Sequence, residues 1–446
     1  MSRIHRCAVG LAALLLLAAC GGGGSAIYER VDDCSDSARK TALRDYFNEW
    51  YFWYGISPRP DPNGPATVSG YFSSLLYTGG NASFPADRWS YFDTTANFNQ
   101  FYGEGRALGY GLFVTGLEVE GRPDLPLYLR YVEPLSPAGL AGAVRGDRIL
   151  SINGRSAASI IAANDYSVLS PASAGVNLQI ELDGPVGHRT LTLQSASYEL
   201  RPVTRAQMVT TPQGREVGYL HVKDMISQAL APAGDAMAHF RAAGASELVL
   251  DLRYNGGGLV TVSRDIASLV AGPRASGRTY ASLLYNDKRA AANNTSYQFT
   301  NPPQALGLAR VYILAGERTC SASEQLAIGL RPFVNVVLVG DASCGKPVGF
   351  LPHDDRCGTT YSVVNFESVN ASNEGRYFSG LRPTCAVNED WTKPLGATDE
   401  PLLATALAHA DGQACTAPAL STRARPLAVR PGGPLNDGER PAMIPR

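Results

Sequence analysis

Three short stretches of this 446-residue chain set reactive side chains among small ones. "GERTCSASEQLAIGL" (Gly316–Leu330) puts Ser321 between two apolar runs. A serine at a helix start sits among unpaired backbone N–H groups that can stabilise a developing oxyanion. The same place suits an N-cap, the commoner role of a serine before a helix. "VNVVLVGDASCGKPVGF" (Val334–Phe350) then brings Lys346 to the end of the next apolar run. In a parallel sheet both residues fall at one strand-end edge, where α/β sites form. A lysine withdrawn from water loses its proton near neutral pH and can act as general base to a serine, whereas a solvated lysine stays charged. "DLRYNGGGLV" (Asp251–Val260) ends a third strand in glycines, and an amide at Gly257 or a neighbour suits an oxyanion donor. No Gly-Lys-Ser/Thr follows, so this is not a phosphate loop.

The elements that must position these residues follow from periodicity. Between residues 201 and 415 apolar strands such as "EVGYLHV" (Glu216–Val222), "ELVLDLR" (Glu247–Arg253) and "RVYILAG" (Arg310–Gly316) alternate with amphipathic helices. Continuous apolar strands between such helices imply a sheet covered on both faces. Residues 106–197 change to short alternating strands with Gly-rich turns, and residues 31–105 form a small helical unit. A helix is expected over residues 32–56, with Leu43, Tyr46, Phe47, Trp50 and Tyr51 on one face, and a second from Val68 to Tyr77. The fold class is multidomain α/β.

"DLRYNGGG", "TCSASE" and "CGKPVG" together resemble the tail-specific, or C-terminal processing, protease family, serine peptidases with a Ser/Lys dyad. The resemblance implies a ClpP/crotonase-like core over residues 201–415. It further implies Ser321 as nucleophile, Lys346 as base, the Ala322 and Gly257 amides as oxyanion hole, and Glu324 in support. "DRWSYF" (Asp87–Phe92) is similar to the box that precedes the family's PDZ domain. "LGYGLFV" and "SPAGLAGAVRGDRILSING" resemble a PDZ domain. That module adds a peptide strand to an open edge and holds its carboxylate on turn amides, here at Leu108, Gly109, Tyr110 and Gly111. The expected protein is an envelope-tethered serine endopeptidase of extended or unfolded polypeptides, without metal or cofactor. A protease-like protein that only binds peptides is the alternative, and a hydrolase of other acyl or ester bonds is a third reading. One position departs from the family: Phe350 stands where many members have a glutamine that orients the lysine.

The rest of the chain concerns location and cross-linking. A formal net charge of −1 gives no support to a nucleic-acid partner. Arg3, His5 and Arg6 precede an apolar run, Ala8–Ala19, too short to span a bilayer. It ends in Leu-Ala-Ala-Cys, which resembles a bacterial lipobox. Residues 1–19 then form a signal peptide, Cys20 carries the lipid that binds the membrane, and residues 20–30 are a tether. Gly21 in place of an aspartate favours the outer membrane. Cys34, Cys320, Cys344, Cys357, Cys385 and Cys415 suggest disulfides in an oxidising compartment. A Cys320–Cys344 bond would join the two reactive loops, and Cys344 could equally pair with Cys357 or Cys385. No CxxC spacing indicates zinc. His221, His239, His353 and His409 are scattered and read as structural or surface residues. "SARK" (Ser37–Lys40) fits S-x-x-K but lies in an aromatic-rich helix without the companion motifs. Residues 416–446 read as a disordered Pro/Arg-rich tail.

Overall fold

The computed structural model describes residues 33–417 and 442–445. The proposed signal peptide, Cys20 and the tether lie outside the described residues.

Six strands form the central sheet in chain order: β1 (Val203–Thr210), β2 (Glu216–Val222), β3 (Glu247–Asp251), β4 (Arg310–Ala315), β5 (Asn335–Gly340) and β6 (Cys385–Ala386). β1 is antiparallel to β2, and the remaining pairs are parallel. Parallel neighbours need crossovers. They are α1 (Leu230–Ala242), α2 (Val260–Ala271) and α3 (Ala322–Leu330), while α4 (Pro401–Ala410) follows β6. The period of two along each strand sorts the side chains. Leu248, Leu250, Val311 and Ile313 join one apolar cluster with α1, α2 and α3. Val249, Tyr312, Leu314, Val337 and Val339 join another with Leu402, Leu403, Ala406 and Leu407 of α4. Both faces are therefore covered, as the continuous apolar strands imply. All β-to-α turns of the parallel part open at one edge.

Residues 112–194 carry a second, antiparallel sheet of six strands: Leu112–Val114, Leu127–Val132, Arg148–Ile152, Asn177–Asp183 and Arg189–Gln194 in chain order, with Arg155–Ser156 pairing off this path with Arg148–Ile152. It has its own core, including Leu127, Leu129, Ile149, Ile160, Ile180 and Leu182. Arg106–Gly109 pairs with Ala196–Glu199, so the chain enters and leaves this unit through a two-stranded neck.

The N-terminal helices run Asp36–Trp50 and Val68–Leu75. The first is shorter than the spacing alone suggests. Tyr51 turns extended, and its carbonyl accepts a hydrogen bond from Asn286 Nδ2 at 3.0 Å. Leu43, Tyr46, Phe47 and Tyr51 pack with Tyr361, Val363 and Val364 of the core. Cys34–Cys357 and the Arg39–Asp355 ion pair (2.7 Å) tie the helix to it as well. The other disulfides are Cys320–Cys344 and Cys385–Cys415.

One segment departs from the disordered tail expected over residues 416–446. Ala442–Ile444 is a buried strand, parallel to Gly257–Leu259. Its apolar side chains enter the main cluster, and composition averaged over a Pro- and Arg-rich stretch hides a three-residue apolar run. No helix among the described residues is long and apolar enough to cross a membrane.

Candidate active site

The edge where β3, β4 and β5 end gathers the three stretches. After β4, Thr319 Oγ1 donates to the Leu252 carbonyl at 2.8 Å, and Cys320 N–H to the Asn255 carbonyl at 3.0 Å. Asn255 joins the turns with its side chain too. Its Oδ1 accepts from Ser323 Oγ (2.7 Å) and Gly257 N–H (2.8 Å), and its Nδ2 donates to the Val222 carbonyl (2.9 Å). These bonds make the turn after β3 and the turn after β4 one rigid piece.

Ser321 is the last residue before α3 and has φ 60° and ψ −114°. A positive φ is costly for a residue with a Cβ and persists only where surroundings over-determine it. Its side chain is fully buried, and Oγ has no hydrogen-bond partner. The next amide, Ala322 N–H, is the first of α3 and has no acceptor within the helix.

Glu324, one turn into α3, accepts hydrogen bonds from both reactive loops. Its Oε2 takes Ser321 N–H at 2.8 Å and Lys346 N–H at 2.9 Å. Its Oε1 takes Gly345 N–H at 2.8 Å and the Ser343 hydroxyl. One carboxylate oxygen thus holds the backbones of Ser321 and Lys346 together. Burial pushes the Glu324 carboxyl above its usual range, against the pull of these donors. The Cys320–Cys344 bond fastens the same two loops covalently.

Lys346 is fully buried, with Nζ 4.4 Å from the Phe350 ring centroid. Burial pushes its pKa down to about 7, opposed by the charges of Asp87 and Glu324. Desolvation disfavours the ammonium, so the neutral amine is abundant near neutral pH. Phe350, which occupies the glutamine position, provides an apolar wall on this side, and Tyr91 packs edge-on against it at 5.6 Å. Asp87 accepts from the Tyr51 hydroxyl (2.8 Å), Ser90 Oγ (2.6 Å) and the amides of Trp89 and Ser90. The "DRWSYF" box therefore places a fixed negative charge near Lys346. Neither Asp87 nor Asn255 was singled out from sequence, although both lie inside quoted motifs. Only the folded chain brings them to this edge.

Gly257 has φ 100°, and a Cβ there would lie 2.8 Å from Ala322 N and 2.3 Å from the Ala442 carbonyl oxygen. The glycine is required for close approach. Its own N–H is directed to Asn255 Oδ1. Leu108, Gly109, Tyr110 and Gly111 are not brought to this edge; they belong to the neck and first turn of the antiparallel unit. Gly111 has φ 75° and lies against Ser136, and the Tyr110 carbonyl accepts from Ala138 N–H at 3.0 Å. Leu112–Val114, which follows, has a strand partner on one side only. The unit touches the glycine turn and the turn before Ser321: Phe113 and Tyr131 pack with Tyr254, and Glu118 pairs with Arg318 at 3.0 Å.

Residues 216–387 match the profile of peptidase family S41. The chain carries a peptidase family S41 domain. Ser321, Glu324, Lys346 and the glycine turn all lie within this S41 domain, whereas Asp87 and Ala442–Ile444 come from outside it. A carboxyl-terminal-processing protease of Synechocystis sp. is 28% identical over 258 residues, 57% of this chain and 58% of that protein. Carboxyl-terminal-processing peptidase 1, chloroplastic, of Arabidopsis thaliana is 30% identical over 251 residues, 56% of this chain and 49% of that protein. The chain thus spans less than two thirds of the length of these curated relatives. Among solved structures, a Bacteroides fragilis protein assigned to the S41 proteases aligns with a TM-score of 0.64 at 25% identity. The alignment covers 83% of this chain and 97% of that one.

Proposed function

We propose that this chain is a serine endopeptidase acting on extended or unfolded polypeptides, with Ser321 as nucleophile and Lys346 as general base. The observation that carries the reading is Ser321 itself: a strained backbone and a buried hydroxyl without a partner, one carboxylate oxygen away from the backbone of a buried lysine. Neutral Lys346 takes the Ser321 Oγ proton as Oγ attacks a peptide carbonyl. The oxyanion forms at the start of α3, where Ala322 N–H and an amide of the glycine turn act as donors. Lys346 returns the proton to the leaving amine. It then activates the water that hydrolyses the acyl-enzyme ester. Glu324 is a positioning residue that fixes the two loops.

The antiparallel unit is read as a PDZ-like module over residues 106–197 that receives substrate C-termini at Leu108–Gly111. Its one-sided edge strand and its contacts with the glycine turn and the turn before Ser321 support this role. The core is read as ClpP/crotonase-like, and Cys20 as the lipid anchor that holds the enzyme in the envelope, at the outer membrane.

The test is digestion of an unfolded protein with an apolar C-terminus by the oxidised chain, with Ser321→Ala and Lys346→Ala run in parallel. Cleavage should fall by roughly three orders of magnitude or more in both variants while the fold is retained. Equal cleavage by wild type and Ser321→Ala would overturn the assignment.

A further inference from the structure

The strand Ala442–Ile444 lies between the glycine turn and the segment that follows Lys346. On one side it runs parallel to Gly257–Leu259, in the register Gly257 to Ala442, Gly258 to Met443 and Leu259 to Ile444. Ala442 N–H donates to the Gly256 carbonyl at 3.0 Å. On the other side the Met443 carbonyl accepts Phe350 N–H at 3.0 Å, and a Cβ at Gly349 would lie 2.4 Å from that same oxygen. One rail of the cleft therefore belongs to the glycine turn, and the other continues the Lys346 loop. Both rails read main chain, and main-chain pairing with side-chain pockets is how an extended peptide is recognised.

The position within the cleft is specific. The Ala442 carbonyl oxygen abuts the face of Gly257 that also meets the Ala322 amide. Ala442, Met443 and Ile444 are buried among apolar side chains of the main cluster, and the residue in register with Gly257 is the small one, Ala442. A free peptide would need this same space and these same backbone groups.

We propose that Ala442–Ile444 is a built-in occupant of the substrate cleft, held there as a bound peptide would be and competing with substrate in cis. It follows that the cleft takes extended apolar peptides with a small residue beside Gly257. The proposal deepens the peptidase reading and rests on its choice of cleft, but binding can be measured without catalysis. An occupant on the same chain acts at an effective concentration set by the intervening chain, so it masks the site from dilute competitors.

The experiment uses the oxidised chain carrying Ser321→Ala and a fluorescent peptide with the sequence of residues 440–446, Arg-Pro-Ala-Met-Ile-Pro-Arg. The cleft is opened in two independent ways, by Met443→Asp with Ile444→Asp and by truncation after residue 430. Far-UV circular dichroism checks that each variant is folded. The opened chains should bind the peptide at least about tenfold more tightly than the intact chain, and an Ala442→Trp peptide about tenfold more weakly than the parent. With Ser321 restored, the opened chains should cleave unfolded protein about tenfold faster at limiting substrate. Tight peptide binding by the opened chains without any cleavage would support the occupant and reject the peptidase reading. Equal peptide binding by folded intact and opened chains would overturn the proposal, whether or not Ser321-dependent cleavage is seen.

Discussion

A serine precedes both the helix Ala157–Ala163 of the antiparallel unit and α3 of the core, and the two serines do different things. Ser156 has φ −65° and ψ 150°, and its hydroxyl accepts the Ser159 amide at 3.3 Å, as a cap does. Ser321 has φ 60°, and although Ser321 and Glu324 are arranged as a capping box, the hydroxyl makes no hydrogen bond of ordinary geometry. The amide of Ser321 goes instead to Glu324, which also holds the lysine loop. A cap lowers the energy of its own helix. At Ser321 the fold forgoes that gain: backbone strain costs on the order of 1–3 kcal/mol, and a buried hydroxyl without a bond about as much again. Such an expense, compensated by surrounding packing, is what the proposed nucleophile role of Ser321 accounts for.

The largest effect that would sharpen this contrast is expected at Glu324. Glu324→Ala strands the amides of Ser321, Gly345 and Lys346 and the Ser343 hydroxyl in a buried site. Urea unfolding should show a loss of about 3–5 kcal/mol, with Glu324→Gln recovering part of it. A loss under 1 kcal/mol would mean that the disulfide alone holds the loops.

The next effect is a pH dependence. With Lys346 pushed down to about 7, its neutral fraction grows as pH rises from 6 to 8, and kcat/KM should climb through about pH 7. Phe350→Gln replaces an apolar wall by an amide that stabilises the ammonium, so the midpoint moves to higher pH. A shift of about one unit lowers the rate near pH 6.5 roughly tenfold. An unchanged profile would show that Phe350 does not set the basicity of Lys346.

The smallest effect compares the two serines directly. Ser321→Gly relieves the positive φ and should raise stability by about 1 kcal/mol while removing cleavage. Ser156→Ala should lower stability by about 1 kcal/mol and leave cleavage unchanged. Thermal melts of both variants test this, and destabilisation by Ser321→Gly would return Ser321 to the role of an ordinary cap.

The alternation of strands and helices after residue 201 was legible because the inner strands β2, β3 and β4 are apolar on both faces and α1 and α2 each turn an apolar face to them, whereas α3 is buried all round. Ser321 and Lys346 were legible as candidates because each follows a strand that the parallel topology ends at the same edge. The helix expected to reach residue 56 stops at Trp50, because Asn286, remote in sequence, takes the Tyr51 carbonyl. The pairing of the six cysteines was equally beyond reach, since spacing does not tell which loops meet.

The amino-acid sequence by itself determined the elements, their order, and which side chains could react, since periodicity and residue chemistry are local properties. The tertiary structure decided which of them meet and in what surroundings. Burial of Lys346, the carboxylate of Glu324 between two loops, Asp87 from a distant box and Ala442–Ile444 in the cleft all depend on groups far apart in the chain. Desolvation and hydrogen bonding across such separations exist only once the chain has closed on itself.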